Sequence, residues 1–141
     1  DVCQNVCPRN RPWLSQELPP NRRVEAKAAN FDLRALLHMD RGYFSARVWP
    51  HMFYMSPDDI WKWKMNVARV MGNSHDESYV PDLVRAFNEN EDERVRGMAA
   101  WALGRIGSGR AMDGLRAFLP SSSGLVREEI EAALSGAAEI Q

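Results

Sequence analysis

Cys3 and Cys7, with Pro8 directly after the second cysteine, are the residues of this chain best suited to bind a metal. Their spacing matches the last step of the four-cysteine run Cys-x2-Cys-x2-Cys-x3-Cys-Pro, which holds iron–sulfur clusters. Thiolates are soft ligands that suit iron. On this pattern Cys3 binds a near cluster and Cys7 binds a second, more distant one. Two cysteines four residues apart could also be free thiols, a disulfide or half of a zinc site.

The same pattern places the next cysteine immediately before Asp1, outside these residues. We therefore expect the chain to be the C-terminal part of a larger iron–sulfur protein. Because a [4Fe–4S] cluster takes four ligands, two thiolates cannot hold one alone. We also find no phosphate-binding glycine loop, no Ser/His/Asp set and no histidine pair with metal-ligand spacing, so no catalytic residue is predicted.

Composition bounds the class of protein. The chain has 141 residues, of which 45% are hydrophobic, enough for one compact domain with a core. With 18 basic against 19 acidic residues, no overall attraction to polyanions is expected. The start lacks the features of a signal peptide, no apolar run reaches about 18 residues, and the cysteines do not suggest a disulfide framework. We expect a cytoplasmic monomer that does not contact membranes.

Residues 1–29 are expected to form an irregular arm or linker that packs on a cluster domain. Proline removes a backbone donor and disfavours helix, and arginine makes the segment locally basic. The prolines are Pro8, Pro12, Pro19 and Pro20, and the arginines are Arg9, Arg11, Arg22 and Arg23.

Residues 30–141 are predicted to be entirely helical, since no segment shows the period-2 pattern of a strand. One short helix is predicted after Asn30, which can cap it, and a second around residues 43–49. Ser56-Pro57 predicts the start of a longer helix. That helix is expected to bury Ile60, Trp63, Val67, Val70 and Met71.

A repeat of about 30 residues follows. Gly72, Gly104 and Gly136 recur every 32 residues, and we expect them to end the second helix of each unit by adopting positive φ. Apolar residues at i, i+3, i+4 and i+7 mark two helices per unit. This period predicts a short α-solenoid.

Two motifs carry a resemblance to known families. Residues 92–107 read DERVRGMAAWALGRIG and resemble the lyase-type HEAT repeat, and residues 123–136 are a weaker copy in which Val126-Arg127 replaces Val95-Arg96. Residues 1–10, DVCQNVCPRN, resemble the second cluster motif of the epoxyqueuosine reductases. Residues 65–73, MNVARVMGN, resemble the first HEAT helix of that family.

The resemblance covers essentially the whole chain but only about the C-terminal third of the family. It implies a cobalamin-dependent enzyme with two [4Fe–4S] clusters, related to reductive dehalogenases, that reduces the epoxide of epoxyqueuosine in the tRNA anticodon loop. Cys3 and Cys7 are by resemblance cluster ligands, while the cobalamin and remaining cluster domains would lie upstream. Arg9 and Met65 stand where the family commonly has tryptophan and arginine, which leaves open a related but different reductase.

Arginine greatly outnumbers lysine, and its planar guanidinium makes bidentate contacts to phosphate. The candidate RNA-binding residues are Arg69, Arg105, Arg110 and Arg116. Arg96 and Arg127 are expected instead to pair with neighbouring acids, and Trp101 to fill space between helices rather than bind a base.

Three functions are compatible with these observations. The first is part of an iron–sulfur reductase of queuosine biosynthesis whose repeats help to hold tRNA. The second is a HEAT-type module that binds protein, attached to a ferredoxin-like domain. The third is a structural cap that limits solvent access to the clusters.

Overall fold

A computed structural model of the chain describes residues 2–17 and 19–138. Within these residues every regular element is helical, so the predicted all-α class is confirmed. A π-helical segment also spans Phe44–Val48. The α-helices are α1 (Val2–Asn5), α2 (Arg11–Leu14), α3 (Arg22–Ala28), α4 (Leu33–Leu37), α5 (Arg41–Tyr43), α6 (Ile60–Ser74), α7 (Val80–Glu89), α8 (Glu93–Ile106), α9 (Gly109–Phe118) and α10 (Gly124–Ala138).

The arm differs from the expected irregular chain in one respect, because it contains the three short helices α1, α2 and α3. Pro12 fits the first turn of α2, where its missing N–H would have no helical partner. Asn21 caps α3 by accepting hydrogen bonds from the backbone N–H groups of Arg23 and Val24. No described side chain of residues 2–29 is buried, so these helices do not contribute to the core.

The next segment begins the core. Asp32 caps α4, which buries Leu36 and Leu37, and the π-helical segment buries Phe44 and Val48. This agrees with the prediction of a short helix around 43–49. The segment therefore joins the exposed arm to the repeats.

The repeats form two helix pairs, α7 with α8 and α9 with α10, stacked after α6. Helix α8 lies at the centre, packed against α6 on one side and α10 on the other. Asp92 caps α8 and Ser108 caps α9. The predicted α-solenoid is thus confirmed, but Val70 was wrongly assigned to the core. It is 51% exposed, because the buried stripe of α6 runs through Val67, Ala68 and Met71.

The three evenly spaced glycines do not end helices, which corrects the prediction. Left-handed residues lie later, with φ of 54° at His75 after α6 and 67° at Gly107 after α8. Gly72 and Gly104 lie inside their helices. A Cβ on Gly72 would lie 2.8 Å from the Ala102 Cα, and one on Gly104 would lie 2.6 Å from the Ala133 Cβ. These two glycines therefore allow the second helices of adjacent units to pack closely.

Gly136 does not share this role, since a Cβ there would meet nothing within 4 Å. The close contact of α10 with Gly104 is made by Ala133, on the preceding turn.

A search of the described residues found no helix long and apolar enough to cross a membrane.

Candidate functional site

Cys3 lies in α1 and Cys7 lies just after it, at the outer end of the arm. Cys3 is exposed, Cys7 is partly exposed, and both are free thiols. The backbone N–H of Val6 donates to the Val2 carbonyl and that of Asn10 donates to the Cys7 carbonyl, so a helical turn and a tight turn hold the two cysteines. No group of three or more potential metal-ligating side chains occurs among the described residues.

Both thiols are therefore available for binding. The sulfurs can be approached from outside the chain, and neither is committed to a disulfide. The chain contains only these two cysteines, whereas a [4Fe–4S] cluster takes four ligands.

A groove runs along α6, α8 and α10 and also includes residues of α9; we call it the repeat groove. It consists of two recesses of about 800 and 540 Å³ that share Trp101 and Glu129. Together the two recesses are lined by residues that include Met65, Arg69, His75, Glu93, Arg94, Arg105 and Arg116.

The four candidate RNA-binding arginines are all exposed, and the groove brings three of them together. Arg69 lines the smaller recess, while Arg105 and Arg116 line the larger one. Arg110 is exposed on α9 but lines neither recess.

These arginines differ in how they are paired. Arg116 donates to Asp113 at 2.8 Å, so its charge is partly compensated. Arg69 and Arg105 form no ion pair within the described part of the chain, and the Arg105 guanidinium lies 6.0 Å from the centroid of the Trp101 ring. Their charge is therefore the most available in the groove.

Trp101 is partly buried and packs on the hydrophobic core, which agrees with the packing role predicted for it. A Cβ on Gly72 would lie 3.1 Å from the Trp101 Cζ3, so the ring fills the space beside that glycine. It forms a wall shared by the two recesses.

Arg94 closes one side of the smaller recess through a fixed arrangement. Its guanidinium donates to both oxygens of Asp92, at 2.9 and 2.6 Å, and lies 3.4 Å from the centroid of the Trp61 ring. The hydrogen bonds from Arg94 hold the pKa of the Asp92 carboxyl below its usual value, against the opposing effect of burial. Glu93 and Glu129 also line the groove, so it carries both signs of charge.

The two arginines expected to pair with acids behave differently. Arg127 donates to Glu131 at 2.8 Å on the surface of α10, as predicted for a pair. Arg96 forms no ion pair within the described residues and instead lies 4.9 Å from the centroid of Phe87, which stacks on Phe118. Its Nε atom is buried without a described partner. The expectation for Arg96 was wrong because aromatic stacking replaces the ion pair.

One exposed feature was missed in the sequence. Trp49, Phe53 and Tyr54 lie in the loop between the π-helical segment and α6 and are 45%, 73% and 73% exposed. A signal was present, since residues 41–57 contain no acidic residue.

Comparisons with known proteins agree with the fold. The profile of a family described as HEAT repeats matches residues 55–135. An uncharacterized protein of Geobacillus stearothermophilus, named for its place in the gldA 3′ region, is 30% identical over 114 residues, covering 76% of this chain and 48% of that protein. No solved structure matches the chain.

Epoxyqueuosine reductases are also similar. That of Listeria monocytogenes is 27% identical over 114 residues and that of Bacillus subtilis 29% over 111 residues; each match covers 76% of this chain and 27% of the enzyme. The chain thus spans about half the length of the Geobacillus protein and about a quarter of the length of the reductases.

The resemblance inferred from the sequence motifs is therefore confirmed at the level of similarity to proteins named epoxyqueuosine reductase. The HEAT profile covers more than half of the chain and contains both stacked helix pairs up to residue 135. Together with the solenoid of close-packed second helices, this shows that the chain belongs to the HEAT-repeat family.

Proposed function

We propose that this chain works within an iron–sulfur reductase related to the epoxyqueuosine reductases, where Cys3 and Cys7 bind [4Fe–4S] clusters and the HEAT repeats contact tRNA. The observation that carries the proposal is the combination of two accessible thiols, spaced as Cys-x3-Cys-Pro, with a repeat domain similar to those reductases. The remaining cluster ligands, and by resemblance cobalamin, would be held by residues outside these 141.

The cluster assignment follows from accessibility and spacing. Cluster sulfurs and iron approach from one side, and a cysteine before proline commonly serves the second cluster in two-cluster proteins. Cys3 lies in α1, Cys7 lies two residues after its end, and neither is committed to a disulfide, so each is free to bind a different cluster.

Anaerobic expression from the complete gene tests this assignment. We expect Cys3→Ser and Cys7→Ser each to lose about half of the bound iron, with different electron paramagnetic resonance signals affected. Ser15→Cys, at an exposed position in the same arm, is a control for an extra thiol and should change neither property. Unchanged iron content and spectra in both serine variants would exclude Cys3 and Cys7 as ligands.

The RNA-contact role is supported by the repeat groove. Arg69 and Arg105 present uncompensated guanidinium groups along it, and arginine binds phosphate oxygens in a bidentate manner. Because Glu93 and Glu129 lie in the same groove, phosphate binding would depend on where Arg69 and Arg105 lie rather than on the overall charge of the groove.

Binding of an unmodified tRNA, measured across salt concentrations, tests this role. We expect Arg69→Ala with Arg105→Ala to weaken binding and to reduce the salt slope by about one per lost phosphate contact. Arg85→Ala is a matched control, since Arg85 is exposed and paired with Glu89 on α7 but does not line the groove. Equal effects of the groove and control variants would indicate only a general charge effect.

A protein-binding module is the second candidate, favoured by the lining of the smaller recess. Met65, Met98 and Leu125 are apolar residues of its lining, and Glu93 and Glu129 add negative charge. Such a recess fits an amphipathic helix with basic flanks. This candidate would be favoured if the wild-type protein fails to bind tRNA even at low salt but binds a protein partner, and if Met98→Ala abolishes that protein binding.

A further inference from the structure

The loop of residues 49–54, which we call the aromatic loop, carries aromatic rings that are exposed to solvent. Phe53 and Tyr54 are each 73% exposed, and their ring centroids lie 5.9 Å apart in an edge-to-face arrangement. Trp49 is 45% exposed in the same loop. In the repeats, by contrast, most large apolar side chains are buried. The exposed rings therefore need an explanation outside the core.

The loop is held firmly although its rings are exposed. The backbone N–H of Met52 donates to the carbonyls of Val48 and Trp49, and that of Met55 donates to the Met52 carbonyl. Met52 and Met55 pack on the core, and the Trp63 indole N–H donates to the Met55 sulfur at 3.0 Å. The Tyr54 hydroxyl donates to the Met52 sulfur at 3.1 Å. Binding through these rings would thus cost little ordering entropy.

Charge along the sequence distinguishes the N-terminal part of the chain, which contains the loop, from the repeats. Residues 1–55 carry eight Lys and Arg side chains against five Asp and Glu, whereas residues 56–141 carry ten against fourteen. No acidic residue occurs between Arg41 and Pro57, and Arg47 in this stretch forms no ion pair within the described chain. A net positive charge favours a polyanion over a neutral or basic protein as the partner.

We propose that the aromatic loop is a stacking site for unpaired bases of an RNA, with phosphates attracted by the basic N-terminal region. Aromatic side chains bind unpaired bases by stacking, and every base offers a π face, so such sites tolerate many sequences. The inference rests on the proposed role in tRNA contact, and adds to it a second surface, separate from the repeat groove, with a preference for single-stranded segments.

The test compares a single-stranded RNA oligonucleotide with a blunt duplex of the same length. We expect the double variant Phe53→Ala with Tyr54→Ala to bind the single strand about tenfold more weakly while duplex binding changes little. The salt slope should stay the same, because stacking releases no counterions, whereas the groove variants Arg69→Ala and Arg105→Ala should change it.

Val70→Ala is the matched control, because Val70 is a half-exposed apolar residue on α6 outside both the loop and the groove. Circular dichroism should show that all variants fold, as expected for side chains that are mostly exposed. Wild-type protein that binds neither oligonucleotide would refute the aromatic loop as an RNA-binding site, whereas the groove proposal is decided separately by the tRNA measurement. If wild-type protein binds the single strand and the Phe53 and Tyr54 double variant binds it as well as the Val70 control does, the stacking role of the aromatic loop is refuted. The same holds if the double variant loses binding of a protein partner but not of the single strand.

Discussion

The arm of residues 2–29 and the repeats of residues 60–138 use apolar side chains in opposite ways. Trp13 and Val24 in the arm are 61% and 62% exposed, whereas Leu83 and Leu103 in the repeats are completely buried. Burial of such side chains supplies most of the free energy of folding. The comparison indicates that the repeats are stabilised by their own core, while the arm's apolar residues add little to the stability of the fold.

The largest effect should come from removing a core ring. Phe87→Ala removes a buried ring that stacks on Phe118 with centroids 3.9 Å apart, and we expect the free energy of unfolding to fall by about 3–5 kcal/mol. Trp13→Ala removes a larger ring, but from the exposed arm, and should change the free energy of unfolding by less than about 0.5 kcal/mol. Urea denaturation measures both. A large loss of unfolding free energy in Trp13→Ala would show that the arm packs on the repeats, and the two regions would then not differ in how they use apolar side chains.

Glycine substitutions should separate contacts within the repeats. Gly104→Ala places a methyl group 2.6 Å from the Ala133 Cβ, so the helices must shift at a cost of about 1–3 kcal/mol. Gly136→Ala meets nothing within 4 Å and should instead stabilise α10 by up to about 0.5–1 kcal/mol, because alanine loses less backbone entropy. Thermal denaturation of the two variants gives the comparison. Equal effects would mean that the repeat spacing, rather than the contact, sets the role of each glycine.

These glycines also show how far the sequence alone could be interpreted. The spacing of apolar residues at i, i+3, i+4 and i+7 predicted the helices and their pairing, because a buried stripe follows directly from helical geometry. Gly72 and Gly104 were recognised as special, but their role depends on which alanine lies opposite, and that is set by the packing of α6, α8 and α10. Val70 was misassigned for a similar reason, since the exact angular position of the buried stripe is decided by the neighbouring helices.

The candidate site was less predictable than the fold. Cys3 and Cys7 could be proposed from the sequence because ligand spacing is a local property of the chain, and their ligand role stays a prediction. Arg69 and Arg105 were named among four arginines, but only the fold separates them from Arg110, which lies outside the groove. Phe53 and Tyr54 gave no periodic signal, and their exposure follows from the turns that hold the loop.

The junction between the two regions should give a moderate effect. Asp82 at the start of α7 accepts hydrogen bonds from Arg34 and His38 of the segment that follows the arm, at 3.0 and 3.3 Å. Asp82→Asn should lower the free energy of unfolding by about 1–2 kcal/mol, since a partly buried charged acceptor is lost. Asp113→Asn, which breaks the exposed pair with Arg116, is the control and should have almost no effect. Equal losses in both variants would mean that the junction is no stronger than a surface ion pair.

The smallest effect concerns the pH dependence of the repeats. Hydrogen bonds from Arg94 lower the pKa of Asp92 in the folded protein, so its ionised form contributes stability above the unfolded pKa. Asp92→Asn keeps the cap of α8 but loses the charge, and we expect a loss of about 0.5 kcal/mol at neutral pH after solvent screening.

That difference between wild type and Asp92→Asn should stay constant at neutral pH and shrink as the pH falls below about 4, where an unfolded Asp becomes protonated. It should vanish once the carboxyl is protonated in the folded state as well. Urea denaturation at several pH values measures it. A difference that persists unchanged in acid would mean that Asp92 stabilises α8 as a neutral cap, and that the Arg94 guanidinium is held over the Trp61 ring by stacking rather than by charge.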